Sequence, residues 1–197
     1  EEGRSSLAEW YEARATFEED PMERAGRDAD LTGWTEGTVP GRFDTFGVPD
    51  SKDGIAWYRI PIDIPHRWKS KPIVVSLGMI DDDDISYFDG VEIGRTNGWQ
   101  RPRQYTVPGE LTSIGRHVIA VRVMDGSGPG GIHGDAAELY AHPADDPNDR
   151  VSLAGSARFL FAAEVKSMPP QHIPVGLYNG MIHPLLDTEF ALSLIHI

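Results

Sequence analysis

Short runs of alternating apolar and polar residues begin near Trp34 and continue to about residue 163. This alternation repeats every two residues, so it predicts β-strands that bury one face each. The predicted strands cover residues 55–64, 73–77, 85–88, 91–94, 104–107, 117–123, 138–142 and 158–163. In the 117–123 strand, Ile119, Val121 and Val123 fall on one face. No helical pattern separates these strands, so we predict an all-β fold, an antiparallel β-sandwich or jelly roll.

The first 24 residues show a different pattern. Apolar residues recur at spacings of three and four through Leu7, Trp10, Tyr11 and Phe17, which predicts an amphipathic helix over residues 3–24. We expect Pro21 and Gly26 to end it. A single amphipathic helix cannot bury its own apolar face, so we expect it to pack on another part of the protein.

Two local signals refine the strand pattern. Asp89-Gly90 separates two apolar runs and suits the positive φ angles of a type I′ hairpin turn. Pro61 lies inside the 55–64 run, and a proline cannot donate to a neighbouring strand. We therefore expect an edge position or a bulge at Pro61.

Charge and composition limit the partners. The 197-residue chain carries a formal net charge of −13, which disfavours nucleic acid and anionic membrane surfaces, because phosphate binding needs clustered Lys and Arg. A neutral glycan surface stays compatible. The chain has no cysteine, which excludes disulfides and thiolate chemistry, and its seven histidines show no metal-ligand spacing. We predict no zinc site and no cofactor.

The order of several segments resembles one enzyme family. They are residues 39–41, 54–59, 77–84, 87–96, 98–99, 101–108, 118–123 and 130–134. Together they resemble the galactose-binding-like sandwich inserted in bacterial sialate O-acetylesterases. Sandwiches of this kind also occur in β-galactosidases and β-glucuronidases. The discriminating segment is Leu177-Tyr178-Asn179-Gly180-Met181-Ile182-His183-Pro184-Leu185, which resembles the point where the esterase chain re-enters its catalytic domain.

The resemblance implies an intact protein with an SGNH-type α/β hydrolase domain. Such an enzyme uses a serine and a histidine to remove acetyl groups from sialic acids or related sugars. Its partners would be an O-acetylated sialic acid or another acetylated glycan, and its own catalytic domain in cis. The family's Gly-Gln-Ser-Asn-Met nucleophile block is absent from this sequence. We therefore expect the chain alone to be inactive, and we assign no catalytic residue. The resemblance also suggests a periplasmic or secreted location.

This interpretation divides the chain into four parts. Residues 1–30 would be a helical linker from the catalytic domain, 31–166 the sandwich, and 167–191 the re-entry into that domain. Residues 192–197 match a translation of the mosaic end used in transposase-based sequencing libraries, so we expect them not to be natural. Two alternatives are a non-catalytic carbohydrate-binding module and the sugar-binding domain of a glycosidase.

The run Asp81–Asp84 is the most conspicuous candidate site. Its carboxylates could bind calcium, and Asp82 and Asp84 could accept hydrogen bonds from sugar hydroxyls. Alternate residues of a strand face opposite sides, so four in a row cannot all bind one ion. The structural alternative, which we favour, is pairing with Arg101, Arg103 or Arg122.

Aromatic and basic residues downstream form a second candidate. Trp99, Arg101 and Tyr105 could bind a sugar, because an aromatic face packs on a pyranose and Arg holds a carboxylate. The alternative is a loop aromatic that covers the sandwich edge.

Two further candidates lie in glycine-containing segments. His133 lies in the Gly-rich segment 126–134, which is either a lid or an ordinary long loop. Tyr178, Asn179 and Gly180 are expected either near the active site of the intact enzyme or in a buried linker turn.

Overall fold

A computed structural model describes residues 21–164 of the chain. Within this range the chain forms one short helix and twelve strands. They are α1 (Pro21–Ala25), β1 (Thr35–Val39), β2 (Gly41–Arg42), β3 (Gly54–Ile64), β4 (Ile73–Asp81), β5 (Asp83–Phe88), β6 (Val91–Thr96), β7 (Pro102–Val107), β8 (Gly115–Asp125), β9 (Gly131–His133), β10 (Leu139–Pro143), β11 (Val151–Ser152) and β12 (Gly155–Glu164). Short 3-10 turns lie at Phe43–Phe46, His66–Trp68, Gly109–Leu111 and Ala136–Glu138.

The strands form two antiparallel sheets. The first has the order β1-β12-β3-β8-β5-β6. The second has the order β11-β10-β4-β9-β2, and β7 also pairs with β4. This arrangement confirms the predicted all-β sandwich. The sequence pattern did not predict β1, β2, β9 and β11, which are short or lie in Gly-rich stretches.

The core lies between the sheets. Ile119, Val121 and Val123 of β8 belong to it and are completely buried, which confirms the face predicted for that strand. The opposite sheet contributes side chains of the same kind, including Val75 and Leu77 of β4. Aliphatic side chains from both inner faces therefore exclude water between the sheets, which is the main stabilising contribution in such a fold.

The β5–β6 hairpin turns at the predicted dipeptide. Asp89 has a φ of 48° and Gly90 a φ of 90°, both in the left-handed region that a type I′ turn requires. The Asp89 carboxylate also accepts a hydrogen bond from the N–H of Val118 at 3.0 Å. The turn is therefore fixed to the adjacent strand β8 as well as by its own backbone.

Pro61 lies in a strand that is central, not at the edge of the sheet. β3 pairs with β12 on one side and β8 on the other. Pro61 itself is opposite Val118 of β8, while the pairing with β12 ends at Arg59. The proline thus lies where β3 no longer pairs with β12, which continues to Gly155 but pairs there with β1 alone. A central strand therefore tolerates the proline without losing a ladder bond on that side.

The acidic run does not form one strand. Asp81 ends β4 in the second sheet and Asp83 begins β5 in the first sheet. The chain thus crosses from one sheet to the other at Asp82. Because the run passes between sheets, strand alternation does not decide which carboxylates come together.

Several predictions concern residues outside 21–164. They include most of the helix predicted over residues 3–24, the 177–185 segment with Tyr178, Asn179 and Gly180, and residues 192–197. The described α1 ends before Gly26, as predicted, but Pro21 is helical and does not end the helix. No helix of the described residues is long and apolar enough to span a membrane.

Candidate functional site

Three chain segments meet at one end of the sandwich. They are the crossing at residues 81–84, the loop at residues 97–101, and residues 126–133, which include β9. We call this region the loop edge. The N–H of Gly98 donates to Asp83 Oδ1 at 2.9 Å, and the N–H of Gly126 donates to Asp82 Oδ2 at 3.0 Å. The acidic run therefore holds both loops in place.

Arg103 of β7 forms the buried centre of the loop edge. Its Nε lies 2.9 Å from Asp84 Oδ1, and both side chains are completely buried. Its two terminal nitrogens donate to main-chain oxygens: Nη2 to Asp82 at 2.7 Å, and Nη1 to Gly98 at 2.9 Å and to Arg101. One guanidinium thus binds both the acidic crossing and the 97–101 loop. Of the three arginines proposed from sequence, Arg103 is the one the structure places opposite Asp84.

Asp84 is fully occupied by these internal bonds. Its Oδ2 accepts from the Ser86 hydroxyl at 2.7 Å, and the Tyr105 hydroxyl lies 3.0 and 2.9 Å from its two oxygens. Burial raises the pKa of Asp84, and the charge of Arg103 opposes that effect. Asp84 and Tyr105 are both buried. They therefore belong to the interior and not, as predicted from the sequence, to a surface that contacts sugar.

Trp99 and Arg101 lie on the outside of the loop edge, next to the partly buried His133. Trp99 is 50% exposed, which is unusual for so large an apolar side chain. Arg101, two residues further on, is also exposed. His133 is hydrogen-bonded to the main chain of Trp99, and burial, with the charge of Arg42, lowers the pKa of His133. The structure therefore brings these three predicted residues together, with Trp99 and Arg101 exposed and the Nε2 of His133 buried.

A cluster of three carboxylates lies beside this surface. Asp81, Asp82 and Asp125 each offer an oxygen, and these oxygens lie within 4.8 Å of one another. Burial and the charge of Asp82 raise the pKa of Asp81 to about 7. Burial, then the charges of Asp82 and Asp53, raise the pKa of Asp125 to about 8. The sequence pattern pointed to Asp82 but missed Asp125, although an Asp-Gly pair after a predicted strand was the available signal.

An Asp-His-Ser arrangement occurs at the opposite end of β8. Asp89 Oδ2 lies 2.6 Å from His117 Nδ1, and Ser113 Oγ lies 3.3 Å from His117 Nε2. However, Nε2 is nearer, at 2.7 Å, to the main-chain oxygen of Ser113. A carbonyl oxygen can only accept, so Nε2 carries a proton and cannot take one from the serine. This geometry fixes the hairpin and does not activate Ser113.

A basic groove of about 560 Å³ lies beside His117 on the first sheet. The four arginines that line it are Arg27, Arg59, Arg116 and Arg158. Arg27 pairs with Asp89, Arg158 pairs with Glu36, and Arg59 donates to main-chain oxygens after α1. Three of the four guanidinium groups are thus already bound within the fold.

No family model and no curated protein matches this chain. Solved structures of similar fold are β-glucuronidases. One from Bacteroides uniformis is 19% identical, with a TM-score of 0.49, over 68% of this chain and 15% of that protein. One from an uncultured Clostridium species is 17% identical, with a TM-score of 0.43, over 65% of this chain and 22% of that protein. One from Ruminococcus gnavus, in complex with D-glucuronic acid, is 17% identical, with a TM-score of 0.41, over 62% of this chain and 23% of that protein.

These values limit what the similarity shows. At 17–19% identity and TM-scores below 0.5, it carries no argument about substrate or activity. The chain spans about a sixth to a quarter of the length of these glycosidases. The chain is thus an antiparallel β-sandwich with structural neighbours among glycosidases.

Proposed function

We propose that this chain is the sugar-binding β-sandwich domain of a carbohydrate-active hydrolase, and that the domain itself is not catalytic. The observation that carries the proposal is the exposed indole of Trp99 at the loop edge, with the exposed Arg101 two residues further on and His133 hydrogen-bonded to the Trp99 main chain. An exposed aromatic face packs against the C–H face of a pyranose, and neighbouring polar groups fix the orientation of its hydroxyls.

The loop that carries Trp99 is held firmly. Gly98, next to Trp99, donates its N–H to Asp83 and accepts a bond from Arg103 through its carbonyl. Arg103 also binds the carbonyl of Arg101 on the other side of the indole. A loop fixed at both flanks loses little conformational freedom on binding, which favours affinity for a small ligand.

The net charge of the chain limits the class of sugar that can bind. The chain has a net charge of −13, so a polyanionic glycan would be repelled. A neutral sugar, or a sugar acid with one carboxylate placed against the exposed Arg101, is compatible with the site. N-acetylneuraminic acid and glucuronic acid both have that single carboxylate.

A binding experiment tests this proposal. The full 197-residue chain is titrated with N-acetylneuraminic acid, its O-acetylated form, glucuronic acid and galactose by isothermal calorimetry. We expect saturable binding of at least one sugar and a loss of roughly fivefold or more in affinity for Trp99→Ala, because stacking on an aromatic ring contributes on the order of 1 kcal/mol.

Ile114→Ala is the matched control. Ile114 is 48% exposed and lies at the opposite end of β8, so the variant removes a similarly exposed apolar side chain away from the loop edge. Unchanged affinity in this control supports the site. Equal affinity in wild type and Trp99→Ala, or no binding of any of the four sugars, contradicts the sugar-binding proposal.

The finer proposal concerns the parent enzyme. Residues 177–185 resemble the re-entry segment of sialate O-acetylesterases, which favours an esterase parent that removes acetyl groups from sialic acids or related sugars. Such sandwiches also occur in β-glucuronidases and β-galactosidases, so the sugar-binding domain of a glycosidase is the second candidate. Neither parent enzyme requires Ser113 of the sandwich to act as a nucleophile.

Sequencing the source DNA outward from both ends of this reading frame separates the parents. A Gly-Gln-Ser-Asn-Met block upstream and an Asp-x-x-His block downstream would support the esterase, and acetyl release by the longer protein would then be measured. A downstream (β/α)₈ barrel would support the glycosidase. In either case we expect the 197-residue chain alone to hydrolyse neither 4-nitrophenyl acetate nor 4-nitrophenyl β-D-glucuronide.

A further inference from the structure

We propose that Asp81, Asp82 and Asp125 form a binding site for a divalent cation, and that calcium is the ion it prefers. The site lies where the chain crosses between the two sheets. The proposal goes beyond sugar binding and does not depend on it.

The three carboxylates have the spacing of ligands to one ion. Their oxygens lie within 4.8 Å of one another. Calcium holds its oxygen ligands at about 2.3–2.6 Å, so two ligands on opposite sides are separated by at most about 5 Å. The residues come from separate places in the fold: Asp81 ends β4, Asp82 lies in the crossing, and Asp125 ends β8.

The buried state of Asp125 is an independent reason to expect a ligand. Asp125 is 0% exposed, and its Oδ2 has no hydrogen-bond partner within residues 21–164. Its Oδ1 accepts one long hydrogen bond, from the N–H of Ser127 at 3.3 Å. A buried carboxylate without a partner is costly, because it loses the water that would have solvated it. A cation bound between the three carboxylates would compensate that loss.

The backbone encloses this carboxylate. A Cβ placed on Gly130 would lie 2.5 Å from Asp125 Cβ and 2.8 Å from its Oδ2. Distances this short mean that the 126–130 loop closes directly over the acid, and that a glycine at residue 130 permits it. The loop thus covers the carboxylate group without supplying a hydrogen bond to Oδ2.

The nearby basic side chains form no ion pair with these three carboxylates within residues 21–164. The positive charges that act on Asp81 are those of Arg42 and Arg103. Arg103 is already bound to Asp84 and to main-chain oxygens. A proton shared between Asp81 and Asp82 is the rival explanation of the cluster, but it would leave Asp125 Oδ2 without a partner.

The chemistry of the cluster favours calcium. All three ligands are hard carboxylate oxygens, and the cluster has no histidine or cysteine that would favour zinc. Magnesium requires a near-ideal octahedron, whereas calcium accepts irregular sets of oxygens. Bound there, calcium would join the end of β4 in the second sheet to the end of β8 in the first.

The test is a calcium titration of the full 197-residue chain. The protein is stripped with a chelator and titrated by calorimetry with CaCl₂ in about 0.15 M NaCl, a salt concentration that screens diffuse attraction to a −13 chain. We expect one ion per chain, weaker binding of MgCl₂, and a higher thermal midpoint with calcium. Asp125→Asn should weaken calcium binding by roughly tenfold or more, since carboxylate count sets affinity.

Asp63→Asn is the matched control, because it removes the same charge from an exposed residue of β3 outside the cluster. It should bind calcium as the wild type does. If Asp125→Asn fails to fold, Asp81→Asn takes its place, because Asp81 is a half-buried residue of the same cluster. The titration of the wild-type protein tests the proposal without any variant. The absence of wild-type binding, or equal binding by wild type and the Asn variant, overturns the proposal.

Discussion

Arg103 and Asp84 form an ion pair that joins the two sheets in the interior of the sandwich. Arg103 belongs to β7 of the second sheet and Asp84 to β5 of the first, and the Nε–Oδ1 distance is 2.9 Å. Both side chains are inaccessible to solvent. Removal of one partner leaves the other charge buried and unpaired, which costs far more than the loss of a surface pair.

Replacement of Arg103 should therefore be strongly destabilising. Arg103→Met keeps most of the side-chain length but leaves Asp84 unpaired, and we expect a loss of about 3–5 kcal/mol in the free energy of unfolding. Urea denaturation followed by fluorescence measures it. Lys71→Met breaks the exposed Lys71–Asp145 pair and should cost less than about 1 kcal/mol. Similar losses in the two variants would contradict this view of the buried pair.

Stability without divalent cations should fall as pH rises. The pKa values of Asp81 and Asp125 are raised to about 7 and about 8, above the value near 3.8 of an unfolded aspartate. The unfolded chain therefore loses these protons first, so their contribution is full below about pH 4 and is lost as the pH rises through 8. Burial and the charge of Asp82 raise both pKa values, and the charge of Asp53 also raises that of Asp125. The charges of Arg42 and Arg103 lower the pKa of Asp81.

Thermal midpoints in EDTA between pH 5 and pH 9 test this dependence. The wild-type midpoint should decrease over that range, and Asp125→Asn should decrease less, because an amide does not ionise. Above pH 8 the variant should be the more stable protein. A wild-type midpoint that rises from pH 6 to pH 9 would show that these carboxylates are ionised at little cost.

Gly130→Ala should disturb the carboxylate cluster. The added Cβ would lie within 2.8 Å of three atoms of Asp125, so either the loop or the acid must move. We expect a loss of about 2–3 kcal/mol and weaker calcium binding. Gly128→Ala is the control: it has a φ of 85° but open space around it, so it should cost about 1–2 kcal/mol and leave calcium binding intact.

Asp89 should be more tolerant of asparagine than of alanine. Its side chain accepts from the N–H of Val118 and from Arg27, and it lies 2.6 Å from His117 Nδ1. Asp89→Ala removes all three and places alanine at a φ of 48°, so we expect a loss of about 2–3 kcal/mol. Asp89→Asn keeps an oxygen for Val118 and tolerates the turn. Chemical denaturation of both variants should show the smaller loss for asparagine.

Features set by neighbouring residues were predictable from sequence. The Asp89-Gly90 turn follows from the φ angles that two adjacent residues accept, and the buried face of β8 follows from a period of two. Pro61 shows the limit of such rules. Its chemistry requires a missing partner on one side, but whether that occurs at a sheet edge or inside a sheet depends on where β12 stops pairing with β3, which no local pattern records.

The candidate site depended on contacts between distant segments. Asp84 needed an arginine, but the choice of Arg103 over Arg101 and Arg122 follows from the pairing of β7 with β4. Tyr105 follows the two-residue period of the buried positions in β7, so the sequence pattern predicts its burial. Its hydrogen bond to Asp84 joins two distant segments, and the pattern does not predict it. Asp125 joins Asp81 because β4 and β8 end at the same side of the sandwich, which no local pattern records.

The order of the first sheet also affects how the chain is made. β12, the last strand described, lies between β1 and β3. On a ribosome, residues 35–154 emerge before the strand that fills this gap. During that interval β1 has no neighbour in the sheet and β3 presents an open edge, and such edges pair readily with other chains. A nascent chain that stops before Gly155 is therefore an open sheet liable to aggregate, and not a shorter version of the same domain.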